Sequence, residues 1–312
     1  MREMRRVKIL GCGNALPTQK VTFDGQTRYR LGEGQTLLDL AETAILGALK
    51  DAGLTMKDID CIVGAMATPL QAIPCNAALI HERMAKGTEI PAMDINTTCT
   101  SFVTALDTVS YLLDAGRYER VLIVSGDTGS AALNPNQKES YELFSDAAVA
   151  FVVGRGDGDS GVLYGAQKTW SEGAHDTEIR GGCGLMTAFK FTKENREDYY
   201  FDMKGIKVLK LAARKLPDFL AESLSEAGVT WEDVDVVVPH QASKALDMIM
   251  ARLNVAPEKY INRVGEYGNM ISASIPYTLC EIIHEGKVKT GDLVMLMGTA
   301  AGLTSNVLLL KY

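Results

Sequence analysis

The sequence predicts an α/β fold in which one unit of helices and strands has been used twice, and three observations predict it. Apolar segments with helical spacing alternate with short apolar runs of strand length. One helix, turn and strand passage recurs in recognisable form, at Ala52 to Ala65 and again at Ala227 to His240, an offset of 175 residues. The chain has 312 residues, of which 46% are hydrophobic and 23% charged, enough to bury a large core in a water-soluble protein.

The first element, ILGCGNALP from Ile9 to Pro17, imitates a dinucleotide fingerprint. Pro17 cuts across the helix that such a site needs and no suitable third Gly follows, so no Rossmann site is expected. Leu37 to Leu49 has helical apolar spacing, and AGLTMKDIDCIVGA then gives a Gly stop, a polar turn and a buried strand. A strand is predicted around Pro91 to Ile95, a helix from near Ser101 to Asp114, and after Gly116 a strand from Val121 to Gly126. GRGDGDSG, Gly154 to Gly161, is the most polar stretch and reads as a turn between two halves, 1–157 and 158–312. The second half repeats the plan. Val208 to Leu224 is helical, AGVTWEDVDVVVPH leads into a strand, a helix lies near Ile275 to His284, and Gly286 precedes a strand from Leu293 to Gly298.

Gly116 and Gly286 are 170 residues apart, as are Cys99 and Asn269, so Cys99 and Asn269 are expected at equivalent places in the two halves. Strands alternating with helices imply mostly parallel sheets covered by helices. Pairing the halves about a pseudo-twofold axis would bring matching helix starts together around a pocket.

The net charge of -7 argues against nucleic acid or an anionic membrane as a partner, since both require clustered Lys and Arg. No apolar run reaches the roughly 18 residues of a membrane span. The opening MREMRRVKIL lacks a long apolar stretch and a cleavage site, so a cytoplasmic protein is expected. Six cysteines, Cys12, Cys61, Cys75, Cys99, Cys183 and Cys280, are scattered without paired spacing. They read as reduced thiols, mostly buried, with neither a disulfide framework nor a metal site.

Three residues stand where chemistry could occur. Cys99, in DINTTCTSFVTAL, lies between a strand and a helix start, where the helix macrodipole and free N–H groups would lower a thiol pKa and hold an oxyanion; an inert thiol in a turn gives the same pattern. His240 closes the apolar strand VDVVVPH, at the strand end where open α/β folds place ligands; a structural His is the alternative. Asn269 follows Gly268 ahead of a helix whose first turn can hold Pro276, and by itself it also reads as a helix N-cap. Near the end, GTAAGLTSN, Gly298 to Asn306, joins two apolar strands through small residues, as a loop approaching a ligand or a plain turn would.

Taken together, NTTCTSF, PHQAS and GNMISASIP resemble the Cys-His-Asn motifs of the β-ketoacyl-acyl-carrier-protein synthase III family, within the thiolase-like superfamily. The resemblance extends over nearly the whole chain, through ILGCGNALP, PCNAALIHERM, FSDAAVAFVVG and the terminal TAAGLT. It implies a thiolase-like fold of two α/β halves with layered helices and mixed sheets (αβαβα), assembled as a homodimer, in fatty-acid or polyketide-type biosynthesis. It implies a ping-pong reaction without a bound cofactor: Cys99 takes an acyl group from a coenzyme A or carrier-protein thioester, then a malonyl thioester decarboxylates and condenses with it. His240 and Asn269 would hold the enolate oxygen, and the amides of Cys99 and Ala301 the other oxyanion. Substrate-binding positions by resemblance are Ile73, Gly205, Lys244, Ala300 and Gly302, with Lys207, Lys210 and Arg214 as a docking patch for acyl carrier protein.

The chain departs from the pattern in places. The stretch from Pro17 to Gly25 is short and lacks the Trp and Arg that clasp the coenzyme's adenine, Lys244 and Ala245 replace a Leu and an Arg, and Ile73 stands where a partner-subunit Phe is usual. Those differences raise an unusual acyl chain as an expectation. Two rivals are an acyltransferase acting on a hydroxyl or amine, and a non-catalytic partner subunit; the intact triad residues weigh against both.

Overall fold

The computed structural model describes residues 4–312. In chain order the elements are β1 (Arg5–Ala15), β2 (Gln19–Phe23), β3 (Gln26–Arg30), α1 (Leu37–Ala52), β4 (Cys61–Gly64), α2 (Asn76–Ala85), β5 (Ala92–Asp94), α3 (Ser101–Asp114), β6 (Arg120–Asp127), α4 (Lys138–Tyr141) and β7 (Ala147–Arg155). Then come β8 (Gly161–Thr169), β9 (Thr177–Glu178), β10 (Asp202–Met203), α5 (Gly205–Ala227), β11 (Val236–Pro239), α6 (Leu246–Arg252), α7 (Val264–Tyr267), α8 (Ser274–His284), β12 (Leu293–Ala300) and β13 (Thr304–Lys311).

The duplication is visible in the strand order. One half runs β1-β7-β6-β4-β5 and the other β8-β13-β12-β11, with the same sense of pairing at each matching step. The halves join edge to edge where Arg5 and Arg6 of β1 pair with Val162 and Gly161 of β8. The expectation of mostly parallel sheets is corrected here, because among the described strands only β4–β5, β4–β6 and β11–β12 pair in parallel. Each half ends in a strand that turns back beside its predecessor, and antiparallel return needs no helical crossover.

Alternating side chains sort the core into layers. Val121 and Ile123 of β6, Val294 and Leu296 of β12, and Leu308 and Leu310 of β13 face a central cluster with Phe102, Leu106 and Val109 of α3 and Leu279 and Ile282 of α8. The opposite faces, Leu122 and Val124 of β6 or Met295 and Leu309 of β12 and β13, pack under α1 and α2 or under α5 and α6. The order is therefore helix, sheet, helix, sheet, helix, with α3 and α8 between the sheets.

Local chemistry places these elements. Thr36 caps α1 in a reciprocal box with Asp39, and Gly53 ends it in the left-handed conformation, as Gly228 ends α5. Gly13 of ILGCGN is no nucleotide glycine: a Cβ there would lie 2.4 Å from the Ala44 carbonyl oxygen, so its absence lets α1 lie directly on β1.

Candidate active site

The turn carrying Cys99 is a single 3-10 turn, Thr98–Thr100, leading straight into α3. Asn96 fixes it by accepting a hydrogen bond from the Thr98 N–H at 2.8 Å, and Ser101 Oγ accepts from the Thr97 N–H at 3.0 Å. The same construction precedes α8. Asn269 Oδ1 accepts from the Ile271 N–H at 2.8 Å, Ser274 Oγ accepts from the Met270 N–H at 2.9 Å, and Thr98 and Ile271 share positive φ angles of 52° and 53°.

This pairing corrects the expected equivalence. Asn269 matches Asn96, and Cys99 matches Ser272, each pair 173 apart (269 - 96 and 272 - 99). Because α8 has 11 residues against 14 in α3, the offset returns to 170 at the glycines beyond them. Nor is Asn269 the N-cap of α8, which is Ala273; it anchors the turn four residues earlier.

His240 lies one residue beyond β11, its N–H donating to the Met297 carbonyl of β12 at 2.8 Å. A Cβ at Gly298 of β12 would stand 2.7 Å from His240 Cβ and 3.2 Å from Thr100 Cγ2, so His240 and the Cys99 turn flank one small residue. Asn269 reaches the same place from the other side, its Nδ2 donating to the Ala242 carbonyl at 3.3 Å, two residues after His240. Gln241, fully buried, holds the intervening loop: it donates to the Pro239 and Ile261 carbonyls and accepts from the Arg263 N–H at 2.7 Å. The three residues singled out in the sequence thus share neighbours.

A fourth residue, Asp127, carries no mark in the sequence motifs. It is fully buried at the end of β6 and accepts hydrogen bonds from Ser272 N and Oγ, from Thr68 N and Oγ1, and from Ala67 N. Burial raises its carboxyl pKa and the Ser272 and Thr68 bonds oppose the rise. The available signal is an acid closing the apolar run VLIVSG. The Ser272 that matches Cys99 therefore anchors its own turn to the buried acid at the end of β6.

Electrostatics overturn the expectation of a thiol pKa lowered by the helix start. Cys99 keeps part of its surface open, yet dense surroundings push its thiol up to about 12. The neighbouring Asp127 adds to the rise, and hydrogen bonds from the N–H groups of Ala301 and of Cys99 itself work against it. Burial lowers His240 to about 4, so its ring is neutral at pH 7. The resting pair is thiol and imidazole. His240 Nδ1 is buried with no partner among the described residues, which favours the Nε2–H tautomer because a bare lone pair is tolerated more readily than an orphaned N–H.

Two expected results follow from this geometry. Alkylation of Cys99 by iodoacetamide, read at its own peptide, should climb about tenfold per pH unit from about pH 7 to 10, since only thiolate reacts and its fraction grows until the thiol pKa. A plateau near neutrality would show a depressed pKa instead. Gly298→Ala should cost about 10²-fold in kcat/KM by displacing His240, with overpacking destabilising the fold by about 1–3 kcal/mol. Unchanged kinetics would remove Gly298 from this role.

The remaining predicted positions are dispersed. Ala300 ends β12, and Gly302, at φ 124°, lies in the link to β13 beside Ala301. Lys244 is exposed just after the His240 loop. Lys207, Lys210 and Arg214 are exposed on α5, where Arg214 pairs with Glu172 at 3.4 Å. An apolar groove lined by Leu209, Leu216, Met248 and Ile249 runs beside Lys210, between α5 and α6. Gly205 opens α5 opposite Glu139, and Ile73 is 84% exposed. Among the described residues no helix is long and apolar enough to cross a membrane.

Comparison with known proteins agrees with this arrangement. Residues 93–169 match the model described as 3-oxoacyl-[acyl-carrier-protein (ACP)] synthase III, and residues 224–312 match the model for its C-terminal part. The chain is 33% identical, over 99% of its length and all of the relative, to a β-ketoacyl-[acyl-carrier-protein] synthase III of Clostridium perfringens strain ATCC 13124. It is 32% identical, over 98% of its length and 99% of the relative, to a protein of the same name from Aquifex aeolicus VF5. The crystal structure of 3-oxoacyl-[acyl-carrier-protein] synthase III from Aquifex aeolicus VF5 superposes with a TM-score of 0.86 at 29% identity, over 98% of this chain and all of that one.

Proposed function

The chain belongs to the β-ketoacyl-[acyl-carrier-protein] synthase III family and is an acyl-transferring condensing enzyme, and from that premise we propose that Cys99, His240 and Asn269 divide its two half-reactions. In the first, the Cys99 sulfur bonds to the carbonyl carbon of an acyl thioester, the donor's carbon–sulfur bond breaks, and the thiol proton leaves with the departing sulfur. The N–H groups of Ala301 and Cys99, which oppose the rise of the thiol pKa, stabilise the tetrahedral oxyanion.

In the second half-reaction a malonyl thioester loses carbon dioxide, its enolate carbon bonds to the acyl-enzyme carbonyl carbon, and the acyl carbon–sulfur bond breaks to release the Cys99 thiolate, which regains a proton from solvent. The neutral His240 supplies an Nε2–H and Asn269 a side-chain N–H to the enolate oxygen. The observation that carries this reading is the lock on Asn269: its Oδ1 is occupied by the Ile271 N–H, so its NH2 edge must face outward toward Ala242 and the His240 loop. Coenzyme A and carrier-protein thioesters are the substrate class, with Ile73, Gly205, Lys244, Ala300 and Gly302 along their path and no bound cofactor. The exposed cations Lys207, Lys210 and Arg214 beside the α5–α6 groove suit an acidic carrier protein. A homodimer would cover Ile73 and set acyl-chain length there, in a cytoplasmic enzyme of fatty-acid or polyketide-type synthesis.

Intact-mass measurement with a panel of acyl thioesters, coupled to carbon dioxide release from malonyl thioesters, tests the reading. The expected result is one acyl adduct on Cys99, discharged with carbon dioxide evolution. Discharge to a hydroxyl or amine without carbon dioxide, or no adduct from any donor, would overturn it.

A further inference from the structure

Sequence spacing points to no metal site, yet folding brings a soft-donor cluster together away from the nucleophile turn. Cys12 of β1 and Cys280 of α8 are 268 residues apart and both buried, and one donor atom from each of Cys12, Cys280 and His284 lies within 4.8 Å of the other two. His284 follows Cys280 by one helical turn, so both present the same face of α8. Asp51, near the end of α1, adjoins the trio from outside that mutual 4.8 Å grouping: its Oδ2 stands 3.4 Å from His284 Nε2 and accepts the Cys12 N–H at 3.0 Å.

We propose that Cys12, Cys280 and His284, with Asp51, form a tetrahedral zinc site that fastens β1 and α1 of the first half to α8 of the second. Thiolate sulfur at about 2.3 Å and imidazole or carboxylate donors at about 2.0–2.1 Å from a tetrahedral ion stand about 3.3–3.8 Å from one another. Cys12 Sγ lies 3.6 Å from His284 Nε2, and Asp51 Oδ2 lies 3.4 Å from the same nitrogen, so two edges of that tetrahedron already exist. Cys280 Sγ is 3.9 Å from the other ring nitrogen and closes the set by a small rotation.

The donor chemistry selects the ion. Two thiolates and an imidazole suit zinc and exclude calcium or magnesium, which require oxygen shells. The burial gradient supplies an entry path, because the sulfurs are buried while His284 and Asp51 remain 46% and 41% exposed on the surface. The bond from the Cys12 N–H to Asp51 fixes the carboxylate beside the Cys12 sulfur before any ion arrives.

The test uses the full chain, reduced, stripped with a chelator and dialysed against zinc, with metal analysis and a parallel cobalt(II) titration. The expected result is one zinc per chain and a thiolate-to-cobalt charge-transfer band with tetrahedral d–d absorption. His284→Ala, on an exposed side chain that the fold does not need, should weaken cobalt binding more than about 100-fold, beyond the loss of an outer partner. It should also abolish a zinc-dependent rise in melting temperature. Cys12→Ser with Cys280→Ser should remove the charge-transfer band, and Cys99→Ala should leave it intact. No retained metal, metal retained undiminished in His284→Ala, loss in Cys99→Ala, or recovery of Cys12 and Cys280 as a cystine would each overturn the proposal.

Discussion

Replacing Cys99 with serine is expected to lower condensation by at least about 10³-fold and to eliminate the covalent acyl adduct from the intact-mass spectrum. Serine fits the turn, since Asn96 and Ser101 rather than Cys99 anchor it. The loss is therefore chemical. A thiol pushed up to about 12 by burial and by Asp127 is already a reluctant anion, and under the proposed mechanism the N–H groups of Ala301 and Cys99 would offset that reluctance by stabilising the oxyanion that forms on attack. A hydroxyl in the same surroundings ionises far less readily and is the weaker nucleophile. Unchanged melting with no adduct is the outcome expected; an adduct of normal mass on the variant would place the acyl group elsewhere.

The legible part of this molecule is what short-range periodicity encodes. The helices at Leu37, Ser101, Val208 and Ile275 announce themselves through apolar spacing, and the structure keeps the second as expected and extends the others by a few residues, to Leu37–Ala52, Gly205–Ala227 and Ser274–His284. Sheet polarity is less legible, because the hairpin return of β13 beside β12 depends on the short link that Gly302 allows. The equivalence of the two turns is displaced in the sequence by the shorter α8, and only the hydrogen bonds of Asn96 and Asn269 reveal the true register.

What sequence does not carry is environment. A helix start argues for a low thiol pKa, but desolvation outweighs it once the second half closes over the turn. The five hydrogen bonds that Asp127 accepts, and the meeting of Cys12 with Cys280, are consequences of tertiary packing between segments that no local pattern relates. Of six cysteines, Cys12, Cys61 and Cys280 are buried as expected, while Cys75 and Cys183 are exposed.

Asn269→Asp should separate the two half-reactions, and it is the most discriminating substitution because it changes chemistry while preserving the turn. An aspartate oxygen can still accept the Ile271 N–H at the position of Oδ1. The other oxygen then replaces Nδ2, 3.3 Å from the Ala242 carbonyl, where an acceptor meets an acceptor and no N–H remains for an enolate. Acylation of Cys99 by the donor thioester should stay near its normal rate, since the proposed oxyanion donors of that step, the N–H groups of Ala301 and Cys99, are untouched. Carbon dioxide release and condensation should fall about 10²–10³-fold, equivalent to about 2.7–4 kcal/mol of transition-state stabilisation. Asn269→Ala would lose the turn anchor as well, so its effects would mix folding with catalysis. Equal losses in both half-reactions of the aspartate variant would assign Asn269 to the scaffold, and retained condensation would leave His240 as the enolate's side-chain donor.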